Sequence, residues 1–228
     1  MARSALVTGG SRGIGLAIAR MLAEEGFALT LASRNQERCE EAAAALDALA
    51  VTADVAREED CERLVAEHVG HHGGLDVLVN SAGIGIGGNI ESLPVKHIDL
   101  QLGVNLRGLV LVTRAAIPEL RTSHGLIVNL ASIAGTIPTP GLSIYGATKA
   151  AVISFTHSLN GELESDGVRA TALCPGFVDT DMAQWSGIPG YEMIQPEDCA
   201  EIVRLMLRLG PTARVPQIVV ERLGSTSA

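Results

Sequence analysis

Short β-branched or aliphatic runs alternate with longer stretches rich in Ala, Leu, Glu and Arg along the whole chain. The pattern predicts strands at 5–8, 28–32, 50–53, 77–81, 126–132, 170–174 and 217–220, and helices at 13–25, 36–47, 58–70, 97–120, 144–165 and 197–209. Such alternation reads as repeated βαβ units, which implies an α/β, doubly wound fold with a seven-stranded parallel sheet flanked by helices. No Pro/Ser-rich linker, composition shift or solenoid repeat divides the series, so residues 1–228 read as one domain.

Two features depart from a plain βαβ series. The stretch 178–195 is long, polar and punctuated by Gly and Pro, and loops of that length in compact domains serve as lids, so a substrate lid is expected there. The helices at 97–120 and 144–165 carry apolar or small residues on nearly every face, which predicts a second partner and hence a homodimer or homotetramer.

Composition narrows the function. Nearly half of the residues are hydrophobic, ample for a core, while the formal net charge of −9 argues against a nucleic-acid partner. Cys39, Cys61, Cys174 and Cys199 are scattered without C-x-x-C spacing, in a chain too large to depend on disulfides, which suits a reducing cytoplasm. The first residues enter the strand at 5–8 directly and no apolar run approaches the roughly 20 residues of a span, so neither export nor a membrane partner is expected.

Between the first strand and first helix lies Thr8-Gly9-Gly10-Ser11-Arg12-Gly13-Ile14-Gly15, glycines that let bare backbone approach a pyrophosphate at a helix N-terminus. The second strand ends at Ser33-Arg34, where dinucleotide folds read the adenosine ribose. An acid there would accept from a free 2′-hydroxyl, whereas Arg34, with Arg12 in the turn, offers donors to a 2′-phosphate, so NADP(H) is expected over NAD(H).

The sharpest chemistry lies in Ser143-Ile144-Tyr145-Gly146-Ala147-Thr148-Lys149. Four residues apart on a helix, Tyr145 and Lys149 share a face, so an ammonium can sit beside the phenol and ease its deprotonation. The chain has only two tyrosines and two lysines, and a shuffled sequence would give this spacing on the order of 2% of the time. His68, His71 and His72 cluster near a helix end, but no cysteine or carboxylate completes a metal site and none is expected.

These motifs resemble the short-chain dehydrogenase/reductase family, in its shorter, non-extended branch, over residues 3–220, and in particular its bacterial NADPH-dependent carbonyl and 3-oxoacyl reductases. The family's T-G-x-x-x-G-x-G is met by Thr8 to Gly15, its acidic adenine contact by Asp54-Val55, and its N-x-A-G by Asn80-Ser81-Ala82-Gly83. Asn105 falls at its helix-four asparagine, Ser132 stands thirteen residues before Tyr145 as its serine does, and Pro175-Gly176-Phe177-Val178-Asp179-Thr180 looks like its nicotinamide-contacting segment.

The resemblance implies a single Rossmann domain and an oxidoreductase acting on the CH-OH group of a small-molecule alcohol or its carbonyl. Asn105, Ser132, Tyr145 and Lys149 would be catalytic: Tyr145 as acid/base, Lys149 lowering its pKa and binding the ribose, Ser132 orienting the substrate oxygen, Asn105 holding a relay water. Cofactor contacts would come from Gly9, Ser11, Arg12, Gly13, Ile14 and Gly15, from Ser33 and Arg34, and from Asp54 and Val55. Asn80, Ala82, Gly83, Tyr145, Lys149, Pro175, Gly176, Val178 and Thr180 would complete them.

Departures matter too. Ser81 replaces a second asparagine, and the chain runs out through Glu221-Arg222-Leu223-Gly224 without the Gly-Gly close of many members, which puts tetramer contacts there in doubt. Ser123 and Asp166 stand where 3-oxoacyl carrier-protein reductases present arginines, favouring a small, largely apolar carbonyl over a carrier-bound one. That reductase activity, and a non-catalytic NADP(H)-binding regulator, are the competing readings.

Overall fold

The computed structural model describes residues 3–224. Seven parallel strands form one sheet in the order β3-β2-β1-β4-β5-β6-β7. They are β1 (Ser4–Thr8), β2 (Ala28–Ser33), β3 (Leu49–Thr52), β4 (Val77–Asn80), β5 (Leu126–Leu130), β6 (Arg169–Pro175) and β7 (Gln217–Val220). Helices α1 (Gly13–Glu24), α2 (Gln36–Ala44), α3 (Glu58–His72), α4 (Val95–Leu102), α5 (Leu109–Ser123), α6 (Ser143–Glu162) and α7 (Pro196–Arg208) cover both faces.

The central strands β1, β4 and β5 are buried at every residue, as a sheet covered on both sides requires. One large cluster joins Leu29, Leu31 and Val79 to Ile18, Leu22 and Met206 of α1 and α7. A second joins Leu6, Leu78 and Ile127 to Leu64, Val112 and Leu159 on the opposite face. Strand order reverses between β1 and β4, and it is there, at the carboxyl edge, that a doubly wound sheet opens a ligand crevice.

Every predicted element is present, with ends displaced by a few residues. The helix expected at 97–120 runs from Val95 to Ser123 but changes its winding at Gly103–Gly108, a π-helical segment between α4 and α5. Hydrophobic periodicity cannot register one widened turn, since it shifts the pattern by a single residue. This rod is the one described helix long and apolar enough to cross a membrane, yet it packs on α3 and α6 and buries Val112, Ala116 and Leu120 in the second cluster. The stretch 178–195 is neither strand nor long helix: two 3₁₀ turns, Asp181–Ser186 and Gly190–Glu192, are closed by a parallel bridge between Val178 and Ile194.

Candidate active site

A cleft of about 520 Å³ lies along the carboxyl edge of β1, β2 and β4. Its floor is the turn after β1. Gly9 sits at φ +65°, where a side chain is strained, and a Cβ there would come within 2.8 Å of Ala82 N. Gly15 is tighter still: a Cβ there would run into the Gly9 carbonyl, so glycine lets α1 begin directly beneath the turn. Thr8 Oγ1 accepts from Ser81 N and Ala82 N, both at 3.2 Å, and fastens the turn to the loop after β4. Ser11 Oγ donates to Ser33 Oγ at 3.0 Å, fastening it to the end of β2.

The cleft carries four guanidinium groups, from Arg12, Arg20, Arg34 and Arg38. Sequence reasoning found two of them. Arg20 was legible as part of one helical face, since Gly13, Leu16, Ala17 and Arg20 of α1 all line the cleft at helical spacing. Arg38 stands in the first turn of α2, capped by Asn35 Oδ1 at 2.8 Å from Arg38 N. Among the described residues, Arg20, Arg34 and Arg38 make no ion pair, whereas Arg12 Nη1 binds Asp181 Oδ2 at 2.7 Å across the cleft. Three uncommitted cations in one cleft of an acidic protein suit a polyanion, and the bare glycine turn suits a phosphate.

Behind Gly83, and outside the lining of that cleft, Ser132, Tyr145 and Lys149 converge from the end of β5 and the first turns of α6. The Tyr145 hydroxyl shares a hydrogen bond with Ser132. Lys149 is only 5% exposed; its Nζ donates to the Leu130 carbonyl at 2.6 Å and stands 5.7 Å from the centre of the Tyr145 ring. Burial pushes the Tyr145 phenol above its ordinary value, with the Ser132 hydrogen bond opposing. Burial drops the Lys149 ammonium to about 8, and the neighbouring Cys174 opposes that fall. Desolvation is the largest influence on the phenol, while the Lys149 ammonium is turned toward a strand carbonyl.

Asn105 lies in the π turn, fully buried, and its amide clamps the loop after β4. Its Oδ1 accepts from Ile84 N at 2.8 Å, and its Nδ2 donates to Ile84 O at 2.8 Å and to Thr148 Oγ1 at 3.2 Å. A Cβ on Gly83 would lie 3.5 Å from Asn105 Oδ1 and 3.6 Å from Lys149 Nζ, so that glycine keeps the space between them open.

Gly9, Ser11, Arg12, Gly13, Ile14, Ser33, Arg34, Val55, Ala82, Gly83 and Thr180 all line the cleft as expected. Several other expected contacts are elsewhere. The Asp54 carboxylate accepts from Ala56 N at 3.0 Å, at the approach to α3. Asn80 is buried across the sheet, its Nδ2 donating to Thr113 Oγ1 and Asn129 Oδ1, both at 2.9 Å. Val178 belongs to the core, and Gly176 N bonds to Val220 O. Alternating side chains and sheet-spanning bonds decide these positions, and neither is visible in a motif. Asp179, Asp181 and Met182, which the sequence placed in the nicotinamide segment and lid without singling them out as contacts, line the cleft from the segment after β6.

Both ring nitrogens of His68 are taken up by hydrogen bonds within the core. Ser4 Oγ donates to Gly74 O at 2.6 Å, so it must accept from His68 Nε2 at 3.2 Å; His68 Nδ1 then accepts from Thr30 Oγ1 at 2.8 Å. The ring is neutral in the core, and no group of three or more metal-ligating side chains occurs among the described residues.

A crevice of this kind, floored by a bare glycine turn and backed by a Ser/Tyr/Lys set, is that of a dinucleotide-dependent oxidoreductase. The short chain dehydrogenase family profile matches residues 3–187, and the chain belongs to that family. Uncharacterized oxidoreductases of Staphylococcus epidermidis and Staphylococcus aureus are 36% and 37% identical over 219 and 220 residues, 95% of either chain in each comparison. An alcohol dehydrogenase from the archaeon Thermococcus sibiricus, complexed with 5-hydroxy-NADP, superposes with a TM-score of 0.91 at 31% identity, covering 98% of this chain and 97% of that one. A 3-ketoacyl-(acyl-carrier-protein) reductase from Brucella melitensis, complexed with NADH, gives 0.89 at 30% identity, covering 96% of each chain.

Proposed function

We propose that this chain is an NADP(H)-dependent carbonyl reductase or alcohol dehydrogenase, working as one domain with 178–195 as its lid in the reducing cytoplasm. The observation that carries the reading is the convergence of Ser132, Tyr145 and Lys149 just behind Gly83, which lines a cleft that also holds uncommitted arginines. The cofactor, when bound, supplies or accepts the hydride at the carbonyl carbon. The Tyr145 hydroxyl gives its proton to the carbonyl oxygen on reduction and recovers it on oxidation. Ser132 donates a hydrogen bond to that oxygen and fixes its position. Lys149 places a positive charge beneath the phenolate that remains, and proton resupply runs past Asn105 through the space that Gly83 leaves open.

Preference for the 2′-phosphorylated cofactor rests on Arg34 and Arg38 having no carboxylate partner among the described residues. The Thermococcus sibiricus structure holds an NADP derivative and the Brucella melitensis structure NADH, so neighbours alone would leave the choice open.

The Brucella melitensis relative favours one other reading, reduction of a carrier-bound 3-oxoacyl chain. Two local contacts weigh against it. Arg121, nearest to the missing docking arginines, is held by Asp166 at 2.8 Å, and Arg169 is spent on the carbonyls of Leu209, Gly210 and Ala213. A formal charge of −9 would repel an acidic carrier.

The deciding experiment is Tyr145→Phe, assayed by nicotinamide absorbance on a panel of ketones. Turnover should fall by about 10²-fold or more while the fold and cofactor affinity persist, because the change removes a proton donor and almost no volume. A variant retaining wild-type kcat would refute the mechanism.

A further inference from the structure

We propose that the substrate carries an aromatic ring beside its reacting carbonyl group, received by an apolar ledge of Met182, Trp185 and Phe177; the inference rests on the carbonyl reductase reading above. Residues three apart eclipse one another on a 3₁₀ turn, so within Asp181–Ser186 Met182 and Trp185 share a face. Ala183, on a different face, is buried and anchors the turn to the domain. Met182 sets the direction of the open face. Its sulfur and the Tyr145 ring each come within 3.7 Å of the Cβ position of Gly85, so Met182 and the phenol ring both pack against that glycine, and Trp185 lies on the same face of the turn as Met182.

Phe177, where the chain leaves β6, meets Trp185 edge to face, with ring centres 5.9 Å apart and planes at 66°. That contact steadies the indole without covering it. Trp185 is 66% exposed, Met182 43% and Phe177 37%. The chain has one Trp, two Tyr and three Phe, and aromatic rings this scarce ordinarily go to the core. Here two of them form an open shelf that begins at the candidate acid.

The chemistry of the shelf selects an aryl group over an ionic or strongly polar one. The three ledge side chains are themselves uncharged, and the nearest charge on the same turn is the Asp181 carboxylate, which would repel an anionic tail. A flat ring against an open indole face gains beyond simple area burial, and the Met182 thioether adds a sulfur–aromatic contact. An aryl ketone should therefore outperform its saturated isostere by about 3- to 10-fold.

The test compares acetophenone with cyclohexyl methyl ketone, matched in carbon count and connectivity, using the wild type and Trp185→Leu. Trp185 lies on the surface, so the variant keeps its core. With NADPH, kcat/KM should favour acetophenone in the wild type, and the preference should vanish in Trp185→Leu through KM. Because Trp185 is the chain's only tryptophan, its emission reports the ledge without any turnover. In the NADP⁺ complex of Tyr145→Phe, acetophenone should quench it saturably, beyond the collisional quenching of free tryptophan amide. Saturable quenching with no ketone reduced by the wild type would uphold the ledge and reject the reductase reading. Collisional quenching alone, or equal losses for both ketones in Trp185→Leu, would overturn the ledge.

Discussion

Arg12 and Arg34 were expected to do the same work, but the fold gives them different surroundings. Arg12 is already paired with Asp181, both side chains 62% exposed, and an exposed pair of this kind is worth at most about 1 kcal/mol. It can be given up to an arriving phosphate. Arg34 and Arg38 have nothing to give up, so they should carry the discrimination between cofactors. Charge-assisted hydrogen bonds of about 1.5–3 kcal/mol correspond to one to two decades of affinity. Arg34→Leu should weaken NADPH binding by roughly that factor and leave NADH binding nearly unchanged. Titrating both cofactors at fixed ionic strength checks it; an unchanged NADPH/NADH ratio would refute the assignment.

At the scale of elements, α3 is locked under β1 and β2 by a chain of hydrogen bonds that has a single proton arrangement for neutral His68. Ser4 of β1 and Thr30 of β2 flank the ring, and Thr30 Oγ1 also meets His72 Nε2 at 3.1 Å. Burial, together with the neighbouring His72 and His71, lowers His68 from 6.5 to about 4. Below pH 6.5 the unfolded chain takes up a proton that the folded chain refuses, so stability is lost as pH falls from about 6.5 to about 4. The shift corresponds to about 3 kcal/mol in full, of which roughly 2 kcal/mol should be gone at pH 5. Urea denaturation at pH 7.5 and pH 5 measures it, and His68→Gln, though less stable overall, should show a shallower pH slope. Parallel losses in the two proteins would dismiss the idea.

For the whole molecule, the third apolar cluster is left half open. Around Leu109, Val152 and Ala172 it gathers Leu106, Val110, Ile153 and Phe155, all partly exposed, from the rod containing α5 and from α6. A single copy leaves this surface in water, and a two-fold related copy would cover it. Sedimentation at micromolar concentration should give a dimer or larger, with Val110→Glu shifting the population toward monomer. A monodisperse wild-type monomer would contradict it.

The amino-acid sequence by itself determined the elements and their parallel arrangement, and it marked the residues of the candidate site. Strand and helix periodicity, a glycine turn after β1 and the Tyr145/Lys149 spacing are local, and local patterns survive in one dimension. Which side chains would face the cleft was not local. Asn80 looked like a cofactor contact and became a sheet-spanning hydrogen bond; His68 clustered with two other histidines near a helix end and became core; Arg38 and Asp181 carried no motif and came to line the cleft. Those outcomes depend on strand order and on how α1, α2 and the segment after β6 meet above the sheet. The environment of Tyr145 was decided in the same way. Helical spacing put Lys149 on its face, but only the packed structure, by turning the ammonium to the Leu130 carbonyl and burying the phenol, fixed the direction of its proton affinity.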